Sequence, residues 1–194
     1  MAIIGRPSAR CAGDIARVYV EAWQTAYAGL LPDRILLGMN YDRQAADWGW
    51  VIRNRGESQP IIVATEIGHG VVGFISFGRS RAVDRPLAGP CAEGQGGARV
   101  GEIFTLYVLP EFQERGIGRQ LLGASFTALR DRGFDRALLW VLRDNHARFF
   151  YERMGGVRIS ERRERQWGCD LDETGYGWPD LRRAITRIGS CSAT

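Results

Sequence analysis

Residues 113–118 read Gln-Glu-Arg-Gly-Ile-Gly, and an amphipathic pattern begins directly after them. Glycines one residue apart let a backbone approach a ligand with no Cβ in the way. At the start of a helix, N–H groups lack intrahelical partners and the dipole is positive, so such a backbone suits an anion. Three uses compete: a tight turn with no ligand, a dinucleotide site, or another phosphate cradle. The dinucleotide fingerprint G-x-G-x-x-G fails, because its third glycine position holds Leu121. The segment "PEFQER", residues 110–115, also separates the glycines from the preceding strand, where a dinucleotide loop leaves its strand directly. A bare turn explains one glycine, less easily two with Gln113 and Arg115 beside them. The phosphate cradle is the favoured use.

Other chemistries find less support. Cys11, Cys91, Cys169 and Cys191 are scattered with no C-x-x-C pair, and His69 and His146 are the only histidines. No clustered ligand set for a metal results, so no metal is expected, and reduced thiols are the default. A covalent Cys–His enzyme has no local signature here. All 26 basic residues are arginine. Without lysine there is neither a Walker-type phosphate grip nor a Schiff base.

The elements that must position the glycines follow from periodicity. Ile15, Val18, Tyr19, Ala22, Trp23 and Ala26 predict an amphipathic helix over 14–28 with Asp14 as N-cap. A weaker helical segment spans about 34–53 and carries Trp48 and Trp50. "PIIVATEI" and "VVGFISFG", joined through "GHG", read as a hairpin. Residues 79–98, rich in Gly, Pro and charge, form a long loop of the kind that is usually functional or mobile. A strand over 99–109, a helix over 116–132 closed by Gly133, and the apolar strand "RALLWVL" over 136–142 come next. A helix over 145–154 ends at two glycines, and "VRISERRERQW" and "ETGYGW" read as two further strands. Strand–helix–strand in the middle implies a parallel pair with a crossover helix, and the flanking hairpins imply antiparallel strands. The expectation is a single-domain mixed α/β sheet.

At 194 residues and net charge +4, with 45% hydrophobic and 25% charged residues, the chain is an ordinary globular protein with room for a core. It has no apolar run of about 18 residues for a membrane helix. The stretch "MAIIGRPSARCAGD" lacks the apolar core of a secretory signal, so a cytoplasmic protein is expected. Arginines are interleaved with acids rather than gathered into a stripe, which gives nucleic acid no clear footprint and suits small anionic ligands as well.

The chain resembles the GNAT superfamily of acyl-CoA-dependent N-acetyltransferases. The superfamily signature (Q/R)-x-x-G-x-(G/A) is met by Gln113 to Gly118, after a strand "EIFTLYVLPEF" similar to the family's cofactor-binding strand. A second family motif, a helix with Asn near its start and Tyr before a Gly turn, is met by Asn145, Tyr151 and Gly155 in "DNHARFFYERMGG". The Asn-to-Tyr interval is one residue shorter than the commonest form.

The resemblance implies an α+β GNAT fold over residues 1–188 with a tail at 189–194. Its sheet would be mostly antiparallel, with a central splayed parallel pair and helices on both faces. It implies acetyl-CoA as cosubstrate and no metal. The diphosphate of coenzyme A would lie on Gln113, Glu114, Arg115, Gly116, Ile117 and Gly118 with Arg119. The pantetheine arm would follow Leu106, Tyr107 and Val108, with Asn145 and Tyr151 at the cofactor as well. Glu102 is the implied base and Tyr151 the implied acid. Trp23, Tyr27 and Phe104 would face the acceptor, with Trp48 and the 79–98 loop nearby. Partners would be a small-molecule or peptide amine, with no nucleic acid and no membrane, and relatives suggest a homodimer. The competing function is a non-catalytic acyl-CoA sensor or interaction module.

Overall fold

The computed structural model describes residues 2–81 and 99–190. Seven strands form one mixed sheet in the order β1-β2-β3-β4-β5-β7-β6. They are β1 (Ile3–Gly5), β2 (Ile61–Glu66), β3 (Gly70–Arg79), β4 (Val100–Val108), β5 (Arg136–Leu142), β6 (Val157–Gln166) and β7 (Cys169–Trp178). Flanking them are α1 (Ala12–Ala26), α2 (Asp33–Leu37), α3 (Tyr41–Asn54), α4 (Ile117–Asp131), α5 (Ala147–Arg153) and α6 (Leu181–Ser190).

The one parallel pair is β4 with β5, joined through α4. Among the described residues its ladder ends at Ile103↔Leu139, although β4 continues to Val108. β5 then runs antiparallel to β7 through to Leu142↔Glu173. Its apolar run suits a strand covered on both faces: Ala137, Leu138 and Leu139 are all at most 2% exposed. Gly101 on β4 admits α4 closely, since a Cβ there would stand 2.7 Å from Leu129 Cδ2.

Two compact units emerge, Met1–Phe77 with Thr105–Ala124 and Gly78–Phe104 with Ser125–Thr194. In the first, Ile15 and Val18 of α1, Phe74 and Ile75 of β3 and Leu121 of α4 are fully buried. In the second, Phe126 and Leu129 of α4, Leu138 of β5, and Tyr176 and Trp178 of β7 do the same.

Several expected elements are corrected. Helix α1 begins at Ala12, not at residue 14, so Asp14 is not its N-cap. Asp14 lies in the first turn, where its carboxylate accepts the Val71 N–H at 3.3 Å. The segment expected as one helix over 34–53 is two, α2 and α3. Asn40 opens α3 by accepting the Arg43 N–H at 2.9 Å, which makes a new helix start cheaper than continuation through Gly38. Strand β1 and helix α6 had not been expected at all. β1 is three residues long and exists by pairing with β2. Asp180 caps α6 by accepting the N–H groups of Arg182 and Arg183. The last strand starts at Cys169 rather than 173. Helix α6 runs to Ser190. Most of the loop assigned to 79–98 lies outside the described residues.

Candidate active site

β4 ends at Val108, and Leu109 is anchored by giving its N–H to Val72 O at 2.9 Å. A 3-10 turn, Pro110–Phe112, buries Phe112 to 5% exposure. The Phe112 ring then carries the Arg115 guanidinium at 4.9 Å and the His69 ring at 5.1 Å. Gln113 ties the turn back to the strand, its side-chain amide donating to Val108 O at 3.1 Å.

The next residues bend sharply. Glu114 has φ +61° and Gly116 φ +76°. Alternation through the left-handed region turns successive N–H groups to one side, the geometry of an anion-binding nest. Gly116 has an open face, because the single atom that a Cβ would meet within 4 Å is Nη2 of Arg119, at 3.7 Å. Ile117, the first residue of α4, is 4% exposed. Helix α4 has no acidic residue in its first turn. Bare N–H groups, a positive helix end and an arginine over a side-chain-free surface together suit a phosphate group.

Glu102 is 5% exposed and held from one side. The backbone N–H of Arg81 donates to its Oε2 at 2.7 Å, and the Arg81 guanidinium to its Oε1 at 3.3 Å. Arg81 in turn lies over the ring of Phe104, 4.0 Å from the centroid. This contact was not anticipated. No spacing rule links 81 with 102; the contact arises because Arg81 follows β3, the sheet neighbour of β4.

Tyr151 is 8% exposed on α5, with Phe150, Tyr176 and Trp178 around its ring at 5.3, 6.3 and 6.5 Å. The hydroxyl of Tyr176 donates to Glu152, and burial, followed by this bond, holds the Tyr176 phenol above its ordinary range. Asn145 is buried just ahead of α5, its Oδ1 accepting the Ala147 N–H at 2.8 Å.

In the first unit the aromatic residues expected near an acceptor come together. Trp23 lies 4.8 Å from Tyr27, and Tyr19 lies 5.3 Å from Trp23, 5.7 Å from Trp48 and 5.5 Å from Tyr107. The hydroxyls of Tyr27 and Tyr107 hydrogen-bond at 3.2 Å. Burial, with Tyr27 and Asp47 adding to it, pushes the Tyr19 phenol far above its ordinary range. Tyr19 was missed as a member of this set, although Tyr19 and Trp23 on α1 and Tyr27 just after it recur every four residues, a visible signal. Phe104 belongs to the second unit, where it carries Arg81. Among the described residues no group of three or more His, Cys, Asp or Glu side chains could hold a metal ion. Nor is any helix there long and apolar enough to cross a membrane.

Comparison with known proteins bears on the family and the fold. Residues 18–156 match the Acetyltransferase (GNAT) family. An uncharacterized N-acetyltransferase of Bacillus subtilis, YuaI, is 33% identical over 175 residues, covering 90% of this chain and 91% of that protein. A mycothiol acetyltransferase of Salinispora tropica is 43% identical over 70 residues, which are 35% of this chain and 23% of that protein. Among solved structures, the PaiA N-acetyltransferase of Thermoplasma acidophilum in complex with coenzyme A has the same fold. It superposes with a TM-score of 0.60 at 18% identity, covering 90% of this chain and 98% of its own. YncA of Salmonella typhimurium, solved with acetyl-CoA, gives 0.64 at 21% identity, covering 93% and 94%. With the family matched over most of its length and a relative aligned almost end to end, the chain belongs to the GNAT acetyltransferase family and is an acyltransferase.

Proposed function

We propose that the protein transfers the acetyl group of acetyl-CoA to a primary amine, by direct attack in a ternary complex. The observation that carries this is the nest at Glu114 and Gly116, with its open face under Arg119. The diphosphate of the cosubstrate would take the N–H groups of residues 113–118 and the Arg119 guanidinium, and the solved relatives that hold coenzyme A or acetyl-CoA support this. The pantetheine amides would bond the backbone of Leu106, Tyr107 and Val108 as an added strand does.

The chemistry then needs three groups. An α-amine titrates near about 7.7–8.0 and a lysine amine near about 10.4, so at neutral pH a base must take the proton of the attacking ammonium. Glu102 is that base, directly or through one water. As the amine nitrogen bonds the thioester carbon, the carbonyl electrons move to oxygen, and the backbone N–H of Val108 stabilises the oxyanion. Its collapse breaks the C–S bond, and Tyr151 protonates the departing thiolate. Asn145, two residues before the helix that carries Tyr151, would lie at the cofactor as well. Trp23 and Tyr27, set in the aromatic group with Trp48, shape the acceptor side in their own unit, and Phe104 does so beside Glu102.

The test is acetyl-CoA binding and thiol release with a panel of amines. Saturable binding is expected, largely lost in Gly116→Trp, where a side chain fills the nest and φ is unfavourable. Unchanged affinity in that variant refutes the assignment of the diphosphate site. Binding without thiol release from any amine refutes catalysis.

A further inference from the structure

Glu102 and Phe104 are two positions apart on β4, so they share a face of the strand. Arg81 covers both. Its guanidinium is fixed at two points, 3.3 Å from Glu102 Oε1 and 4.0 Å above the Phe104 ring, and its own N–H holds Glu102 Oε2 at 2.7 Å. The Arg81 side chain is nevertheless 69% exposed, against 7% for Glu102. A guanidinium offers five donors in one plane. Among the described residues Nη2 is the guanidinium nitrogen with a hydrogen-bond partner. The result is a cation already ordered by an aromatic platform and still open on its outer edge, which lowers the entropy lost when a planar anion docks.

We propose that Arg81 is the carboxylate receptor of the acceptor site, and that the acceptor is a free α-amino acid. This rests on Glu102 being the base. An α-amino acid bears its ammonium and its carboxylate on one carbon, and the Glu102–Arg81 pair presents the complementary charges side by side. Laid against the pair, the ammonium meets Glu102 and the carboxylate meets Arg81, so the four charges alternate. The incoming carboxylate also draws the guanidinium away from Oε1, which frees that oxygen to accept the ammonium proton. A plain amine gives Arg81 nothing to bind. A peptide N-terminus carries a neutral amide in the same place and leaves the guanidinium on Glu102.

Thiol release is measured with L-amino acids and with the amides of the same amino acids, for the wild type, Arg81→Ala and Arg81→Lys. The wild type is expected to prefer the free acid by at least about tenfold in kcat/KM, the worth of one charge-assisted hydrogen bond. Arg81→Ala collapses that ratio, mainly through the KM of the acid. Arg81→Lys keeps part of it, since the charge remains and the planar fork is lost. Equal use of acid and amide by the wild type overturns the proposal while leaving acetyl transfer standing. A preference that survives in Arg81→Ala overturns it too, as does release with neither form while acetyl-CoA still binds. Failure of acetyl-CoA to bind brings down the transferase assignment beneath it. Should Arg81→Ala not fold, the wild-type ratio and Arg81→Lys decide.

Discussion

The Gln113 side chain acts through the chain: its amide donates to Val108 O at 3.1 Å, which fastens the phosphate loop to the strand it leaves. Gln113→Ala should therefore weaken acetyl-CoA binding roughly twofold to tenfold, the worth of one net hydrogen bond, as isothermal titration would show. Tyr151→Phe tests a different kind of contribution. With its ring packed by Tyr176 and Trp178, the variant should fold normally and lose roughly 10²–10⁴-fold in kcat, with little change in the KM for acetyl-CoA. An undiminished kcat would remove Tyr151 from the chemistry. At this scale the loop could be read from residue order, because two glycines and their neighbours are consecutive in the chain. The clasp of Arg81 on Glu102 could not, since it joins residues 21 apart. Burial of the carboxylate beneath that clasp was equally hidden.

Elements were legible where the pattern was local and strong. The apolar run of β5 was placed to the residue, 136–142, and the β2–β3 hairpin announced itself through its glycines. What escaped depended on partners distant in sequence. β1 is held by β2, some sixty positions on, and Asp14 looked like a helix cap while it serves the Val71 N–H across 57 residues. The break between α2 and α3 was, by contrast, signalled by Gly38 and Asn40 and passed over. Its cap gives a direct test: Asn40→Ala should destabilise the protein by about 1 kcal/mol, read as a lower denaturation midpoint with an unchanged slope. No change would mean that packing of Trp48, 7% exposed, fixes the start of α3 without help.

At the scale of the whole molecule, the β6–β7 hairpin at one edge of the sheet is laced with ion pairs. Arg163 binds Asp172 through two nitrogens at 2.6 and 3.1 Å, and Arg143 reaches the same carboxylate at 2.9 Å. The Arg163 hydrogen bond first, with help from Arg143 and against the effect of burial, holds Asp172 below the usual carboxylate range. A carboxyl whose folded pKa is depressed adds stability above its unfolded value of about 3.9, and that contribution disappears as pH falls through the folded one. Asp172→Asn should flatten the acid limb of the stability curve, and a profile of denaturation midpoint against pH with an unaltered limb would refute this. Charged side chains on an edge strand also discourage strand-to-strand aggregation. Every cation in that hairpin is a guanidinium, and the same holds throughout the 194 residues. An N-acetyltransferase thereby carries no side-chain amine of its own able to accept an acyl group. Prolonged incubation with acetyl-CoA should leave its side chains free of N-acetylation, as the intact mass after hydroxylamine cleavage of any thioester would report.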